Sequence, residues 1–249
     1  MKLKKSTLTM ACFLFYTIGR LCLAEPLLVP SPETYTRDYA VKFTKISNTI
    51  LAPVYAPLAQ QIVSEFGLAE KSGIGIDLGS GPGNLIIELC KLTKQMHWID
   101  ADINPYFFPI FTETANNAGF GHRVSAIFAD AQLLPFRDNY AEIIVSRGSF
   151  HFWQDKRKAF SEIYRVLKPG GVAFIGRGFP DNLPLETAKR IREAQQGGDG
   201  KPSYDVGKTA NELRDIMKAL DIKDFSIRIP VSPEPEVSYG VWVEFRKSG

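Results

Sequence analysis

Through the middle of the chain, five short runs rich in β-branched residues alternate with helical stretches, and this alternation constrains the fold more than any other feature. The runs are Ile74–Leu78, His97–Ala101, Val124–Phe128, Glu142–Ser146 and Val172–Gly176. Helical patterning fills Asn84–Lys94, Pro105–Ala118 and Asp155–Leu167. A strand that returns parallel to its neighbour needs a crossover, usually a helix, whereas an antiparallel return needs only a tight turn. The pattern therefore predicts an α/β, Rossmann-like, mostly parallel sheet with helices on both faces. A chain of 249 residues that is 45% hydrophobic can fill such a core without disulfides, and its 3 Cys could not build a disulfide scaffold. No Cys/His group has metal spacing, so no metal site is expected.

The flanks are organised differently. Over residues 34–66 the pattern is helical, with Leu58, Ala59, Ile62, Val63 and Phe66 on one side and breaks at Pro53 and Pro57. Residues 25–73 are read as an N-terminal helical cap and residues 74–249 as the sheet domain. Near the other end, Thr209 and Glu212 form a capping-box pattern ahead of a Leu213, Ile216, Met217, Leu220 stripe. Phe225–Ile229 and Tyr239–Phe245, joined by the short Pro230–Glu236 link, read as an antiparallel pair. Between Pro180 and Asp205 lies a segment with Gly197, Gly198 and Gly200, read as a flexible loop that could serve as a lid.

Residues 1–24 have the layout of a secretory signal: Lys2, Lys4 and Lys5, an apolar stretch from Leu8 to Ile18, and Ala24 before the first acid. Cleavage after Ala24 and export are expected. An uncleaved anchor, associating the protein with a membrane, and a cytoplasmic chain with a mis-assigned start are the alternatives. The leader also carries the basic excess. It holds four of the 30 Lys and Arg residues and none of the 27 acids, so the remainder has 26 bases against 27 acids despite the overall +3. A body without basic excess argues against a nucleic-acid partner.

The first predicted strand runs into Asp77-Leu78-Gly79-Ser80-Gly81-Pro82-Gly83-Asn84. Glycines at such a strand–helix turn let the backbone approach a ligand at a helix N-terminus. The dinucleotide fingerprint G-x-G-x-x-G would require its third glycine where Asn84 stands. The second strand ends at Asp100-Ala101-Asp102-Ile103, where an acid can accept hydrogen bonds from ribose hydroxyls. Asp102 is better placed than Asp100, at the strand's mouth. Asp130-Ala131 ends the third strand, with Leu134-Pro135-Phe136 beyond it; taken alone, Asp130 reads as a turn residue. The fourth strand runs through Ser146 into Arg147-Gly148-Ser149-Phe150-His151-Phe152-Trp153. In an open α/β sheet all these segments meet at the carboxyl ends of the strands.

In order, the Asp77–Gly83 loop, Asp102-Ile103-Asn104-Pro105, Asp130-Ala131 with Leu134-Pro135-Phe136, and Arg165–Gly171 resemble class I S-adenosylmethionine-dependent methyltransferases. The resemblance is nearest to the small-molecule branch that includes the ubiquinone and menaquinone biosynthesis enzymes. It implies a seven-stranded sheet with an antiparallel last strand and S-adenosyl-L-methionine as cofactor. The implied cofactor-facing set is Asp77, Gly79, Ser80, Gly81 and Gly83, then Asp102 and Ile103 at the ribose, Asp130 and Ala131 at the adenine, and Ser146. Glu142 departs from the Asp usual in the family at the start of the fourth strand.

His151, just past that strand, is the best-placed base for an acceptor that must lose a proton; otherwise it packs in its aromatic cluster. Tyr35 and Tyr39 are candidates to close over the cofactor but are expected to pack. His97 and His122 read as structural, and Cys90 as a buried hydrophobe. The expected activity is in-line methyl transfer to a small or lipid-like molecule. The alternative is an exported binding protein on the same fold without catalysis.

Overall fold

A computed structural model of the chain describes residues 35–196 and 204–249. The signal-like leader and the three glycines Gly197, Gly198 and Gly200 lie outside the described residues. Two helices come first, α1 (Arg37–Thr49) and α2 (Ala52–Glu65). The sheet domain then runs β1 (Ser72–Leu78), α3 (Asn84–Leu92), β2 (Gln95–Asp102), α4 (Phe108–Asn117), β3 (Val124–Phe128), β4 (Ala141–Arg147), α5 (Lys156–Val166) and β5 (Leu167–Gly178). It closes with α6 (Leu185–Gln196), α7 (Val206–Ala219), β6 (Phe225–Arg228) and β7 (Gly240–Arg246).

The seven strands form one sheet in the order β3-β2-β1-β4-β5-β7-β6. The first five are parallel, while β7 runs antiparallel to both of its neighbours. The order reverses between β1 and β4, which places the ligand crevice at their carboxyl ends. Each face carries its own core. On one side α2, α3 and α6 cover Trp98, Val145, Phe174 and Trp242, with Phe174 stacked on Trp242 at 4.5 Å. On the other, α5 and α7 cover Ile76, Ile144, Ile175 and Val243. Alternate residues of β4 and β5 feed the two cores, as the period-two geometry of a strand requires.

Three local expectations are corrected. Within Pro180–Asp205 the described residues include a helix, α6 at Leu185–Gln196, whose apolar residues Ala188 and Ile191 are buried. The glycines beyond it concealed a helix whose own residues are good helix formers. Helix α7 begins at Val206 with Asp205 as its cap, accepting from the Lys208 amide at 2.9 Å, while Thr209 lies inside the helix and bonds the Asp205 carbonyl. Asp205 wins because it sits at the helix's true boundary. Finally, Lys168–Gly171 does not separate α5 from its strand. The pairing steps from Ala141↔Leu167 to Ile143↔Val172, so these residues bulge within β5 and bond Lys247.

The Glu142 departure has a structural reading. Its carboxylate pairs with Lys168 and, at 3.3 Å, with Lys71, and these partners hold it below the usual carboxylate range. Two sequence motifs also prove to be mutual partners. Arg165 donates to the carbonyls of Leu134 and Phe136, and its ion-pair partner Glu162 accepts from the Leu134 amide. The turn after Asp130 is thereby fastened to α5.

Candidate active site

The glycine loop is built by steric necessity. Gly79, Gly81 and Gly83 all have left-handed backbone, with φ of 66°, 59° and 77°. A Cβ on Gly83 would stand 2.1 Å from the Phe111 ring, and one on Gly79 would stand 2.4 Å from Ser149 Cβ. Any side chain there would be both strained and in collision. The loop is tied to β2 from below. Asp102 accepts the Gly81 amide at 2.8 Å on one oxygen and the Asn104 amide at 2.7 Å on the other. Ser80 donates its hydroxyl to Asp100.

Three carboxylates crowd this corner. Asp77 and Asp100 are register partners on β1 and β2, so their side chains stand side by side on the same face. Both are buried, and one oxygen of each, Asp77 Oδ1 and Asp100 Oδ2, has no hydrogen-bond partner. Burial, followed by the charge of Asp102, holds both carboxyls well above the usual range. Asp102 is itself pushed up to about 6 by burial, against the pull of the backbone amides it accepts. A buried carboxylate with a vacant lone pair is costly unless a donor or cation completes it.

Helix α1 is fixed over this corner. Thr36 caps it by accepting the Tyr39 amide, and the Thr36 carbonyl accepts from Asn104 Nδ2 at 3.3 Å. Tyr39 stacks on Phe43 at 5.8 Å, Phe107 meets both rings edge-on, and Phe43 approaches Gly81. Tyr39 therefore packs, as its sequence context suggests. Burial and the charge of Asp102 raise its phenol, and burial, Asp130 and Asp102 raise that of Tyr35, which places both rings beside the acidic corner.

The remaining sequence-derived residues divide. Ile103 follows Asp102 out of β2. Asp130 holds its turn by accepting from the Gln132 amide at 2.9 Å, with Ala131 buried beside it. Ser146 is fully buried and donates to the Leu78 carbonyl at 2.7 Å, next to Ser149. Its hydroxyl braces β4 against the start of the glycine loop. His151 lies in the single turn Phe150–Phe152 after β4, its ring 3.9 Å from that of Phe152. Its Nδ1 is buried without a partner, and burial, then the charges of Arg177 and Lys156, bring the imidazole down to about 4. It is neutral at physiological pH, as a base must be. His97 bonds Ser125 and Cys90 is buried, its thiol pushed up to about 11, so both are structural.

Sequence reasoning missed a second group. Arg147 and Arg177 stand at the carboxyl ends of β4 and β5, with Arg192 on α6 and Tyr204 nearby. Arg147 carried a visible signal, since it follows the fourth strand directly. Arg192 and Tyr204 did not, because they lie in the segment read as a loop.

With this geometry established, known proteins show a consistent resemblance. Residues 76–175 match a family described as a methyltransferase domain. The ubiquinone/menaquinone biosynthesis C-methyltransferase of Francisella tularensis subsp. novicida is 29% identical over 147 residues, 59% of this chain and 58% of that protein. The enzyme of the same name from Wigglesworthia glossinidia brevipalpis is 33% identical over 101 residues, 40% of each chain. The match to the first of these thus spans a little over half of the relative's length. A Methanococcus maripaludis structure described as an S-adenosyl-L-methionine-dependent methyltransferase superposes with a TM-score of 0.73 at 29% identity, covering 88% of this chain and 96% of that one. The Haemonchus contortus phosphoethanolamine N-methyltransferase 2, solved with S-adenosyl-L-methionine, shares the fold, with a TM-score of 0.53 at 21% identity over 79% of this chain and 44% of that one. In sheet order, glycine loop and domain match the chain is similar to class I S-adenosylmethionine-dependent methyltransferases. Within that class it resembles the ubiquinone/menaquinone C-methyltransferases.

Proposed function

We propose that the protein transfers a methyl group from S-adenosylmethionine to a small or lipid-like acceptor. The observation that carries this reading is the left-handed glycine loop, tied to Asp102 above two buried carboxylate oxygens that lack partners. A cationic ligand with an ammonium group and ribose hydroxyls fits that chemistry, because it brings the donors and positive charge this corner lacks. The loop Gly79–Gly83 and Asp77 would hold the amino-acid part, Asp102 and Ile103 the ribose, and Asp130 with Ala131 the adenine. The bound cofactor supplies an electrophilic methyl on a sulfonium. The chain's task is alignment and exclusion of water, which α1 serves by packing on the loop. His151 Nδ1 is available to take a proton from an acceptor that must lose one.

Calorimetry of the full chain with S-adenosylhomocysteine tests the reading, with binding expected in the micromolar range, about −8 kcal/mol. An absence of heat at millimolar ligand would sink it. We also propose export, from the charged and apolar leader. Among the described residues no helix is long and apolar enough to cross a membrane. N-terminal sequencing of protein from the source cells is expected to begin at or next to Glu25, and a chain starting at Met1 would overturn it.

A further inference from the structure

The two outer strands of the sheet are built differently. On one side lies β6, four residues long, whose Arg228 is held in ion pairs with Glu65 and Glu244. Shortness and charge are common means of keeping an edge strand from pairing with a foreign one. On the other side lies β3, Val124-Ser125-Ala126-Ile127-Phe128, with no charged residue and no proline, in unbroken register with β2. None of its residues is buried, and Phe128 is 47% exposed.

The outer side of β3 offers its backbone. The Ala129 amide, just past the strand, donates inward to the Asp102 carbonyl. The N–H and C=O of one strand residue point to the same side, and successive residues alternate. Ser125 and Ile127 therefore face β2, while the backbone groups of Val124, Ala126 and Phe128 face outward. Among the described residues nothing bonds these outward groups.

The pattern is complementary to itself. Two copies of β3 laid antiparallel about a two-fold axis at Ala126 set Ala126 against Ala126 and Val124 against Phe128. Every outward N–H and C=O then meets its counterpart, and each Val124–Phe128 pair joins a β-branched to an aromatic side chain across the strands. Just beyond the strand the same register sets His122 against Asp130, a basic residue against an acid. Arg123, next in line, is already turned to the carbonyls of Thr93 and Cys90, so no like charges meet. A shift of two residues either way leaves Phe128 or Val124 without a strand partner and separates His122 from Asp130.

We propose that β3 is the seam of a symmetric homodimer, in which the sheets of two copies join edge to edge through Val124, Ala126 and Phe128. The seam is short, so the dimer forms reversibly, in the micromolar range. Because β3 runs into the turn at Asp130, the pairing carries His122 of the partner subunit to the rim of the candidate site. The inference does not depend on what that site catalyses.

Sedimentation equilibrium of the full chain, from nanomolar to high micromolar concentration, is expected to show a monomer–dimer transition. Ala126→Pro removes the central outward N–H, which an edge strand tolerates because that group has no partner within the monomer. It is expected to weaken the dimer about tenfold or more, one hydrogen bond being lost from each copy. Circular dichroism of the variant is expected to match that of the wild type. A second readout needs no variant. In the wild type, rising concentration is expected to slow hydrogen exchange at the Val124, Ala126 and Phe128 amides, while those of Ser125 and Ile127, bonded to β2, stay protected throughout. A monomer at every concentration, or a dimer of unchanged strength in Ala126→Pro, would overturn the inference. So would exchange at the three outward amides that does not depend on concentration; if they are protected even when dilute, another segment of this chain covers the edge.

Discussion

The mouth of β1 and β2 and the mouth of β4 and β5 lie on the same edge of one sheet, yet they are opposite in charge. The first gathers Asp77, Asp100 and Asp102, all buried. The second gathers Arg147 and Arg177, joined by Arg192 and a neutral His151. A parallel sheet aims every strand's carboxyl end at one crevice, so side chains at neighbouring strand ends can give that crevice two poles. The arrangement teaches that neighbouring strand mouths on one edge of a sheet can differ in the sign of the side chains they gather.

Three perturbations separate the poles, and the largest falls at the basic end. His151→Ala is expected to lower turnover by about 10²–10⁴ for an acceptor that must be deprotonated, with cofactor affinity unchanged. Once an acceptor is found, turnover within threefold of wild type would reduce His151 to a packing residue. At the acidic end, Asp102→Ala is expected to weaken S-adenosylhomocysteine binding by about 1–3 kcal/mol, the cost of leaving buried hydroxyls unpaired. Calorimetry decides it, and an affinity unchanged by the substitution would remove Asp102 from the ribose site.

The smallest effect is on stability, and its sign differs between the poles. Asp102, raised to about 6 in the fold from an ordinary 3.8, contributes stability that is fully present below about pH 3.8 and is lost as pH rises through 6. His151, lowered to about 4 from an ordinary 6.5, contributes stability present above pH 6.5 and lost as pH falls through 4. Between pH 4 and 6 they oppose each other. Urea midpoints of the cofactor-free protein at pH 5 and 7 should show Asp102→Asn losing stability on acidification more than wild type, and His151→Ala losing less. If both variants keep the wild-type slope, neither group titrates as its surroundings indicate.

The legible part of the molecule is that in which local chemistry and tertiary structure agree. The five parallel strands were readable because Ile, Val and Phe runs alternate with helical periods and each glycine turn is short. The acidic pole was equally readable, since Asp77, Gly79–Gly83 and Asp102 are close in sequence and their spacing reflects one strand–loop–helix unit. The basic pole was not. Arg147, Arg177 and Arg192 are separated by long stretches of chain and are brought together only by the β4–β5 pairing and the docking of α6. Likewise the Ser146 hydroxyl, counted toward the cofactor, is taken by the Leu78 carbonyl, a partner 68 positions away that no local pattern marks.

The position of β7 has a consequence for folding. This strand fills the gap between β5 and β6 and runs antiparallel to both. Until it docks, β5 has an open ladder and β6 has no neighbour in the sheet. A chain in which β7 is unformed presents the β5 edge, with Phe174 and Ile175, to whatever strand it meets. Losing these seven residues would cost far more than their number suggests, because β7 is the strand that joins β6 to the rest of the sheet.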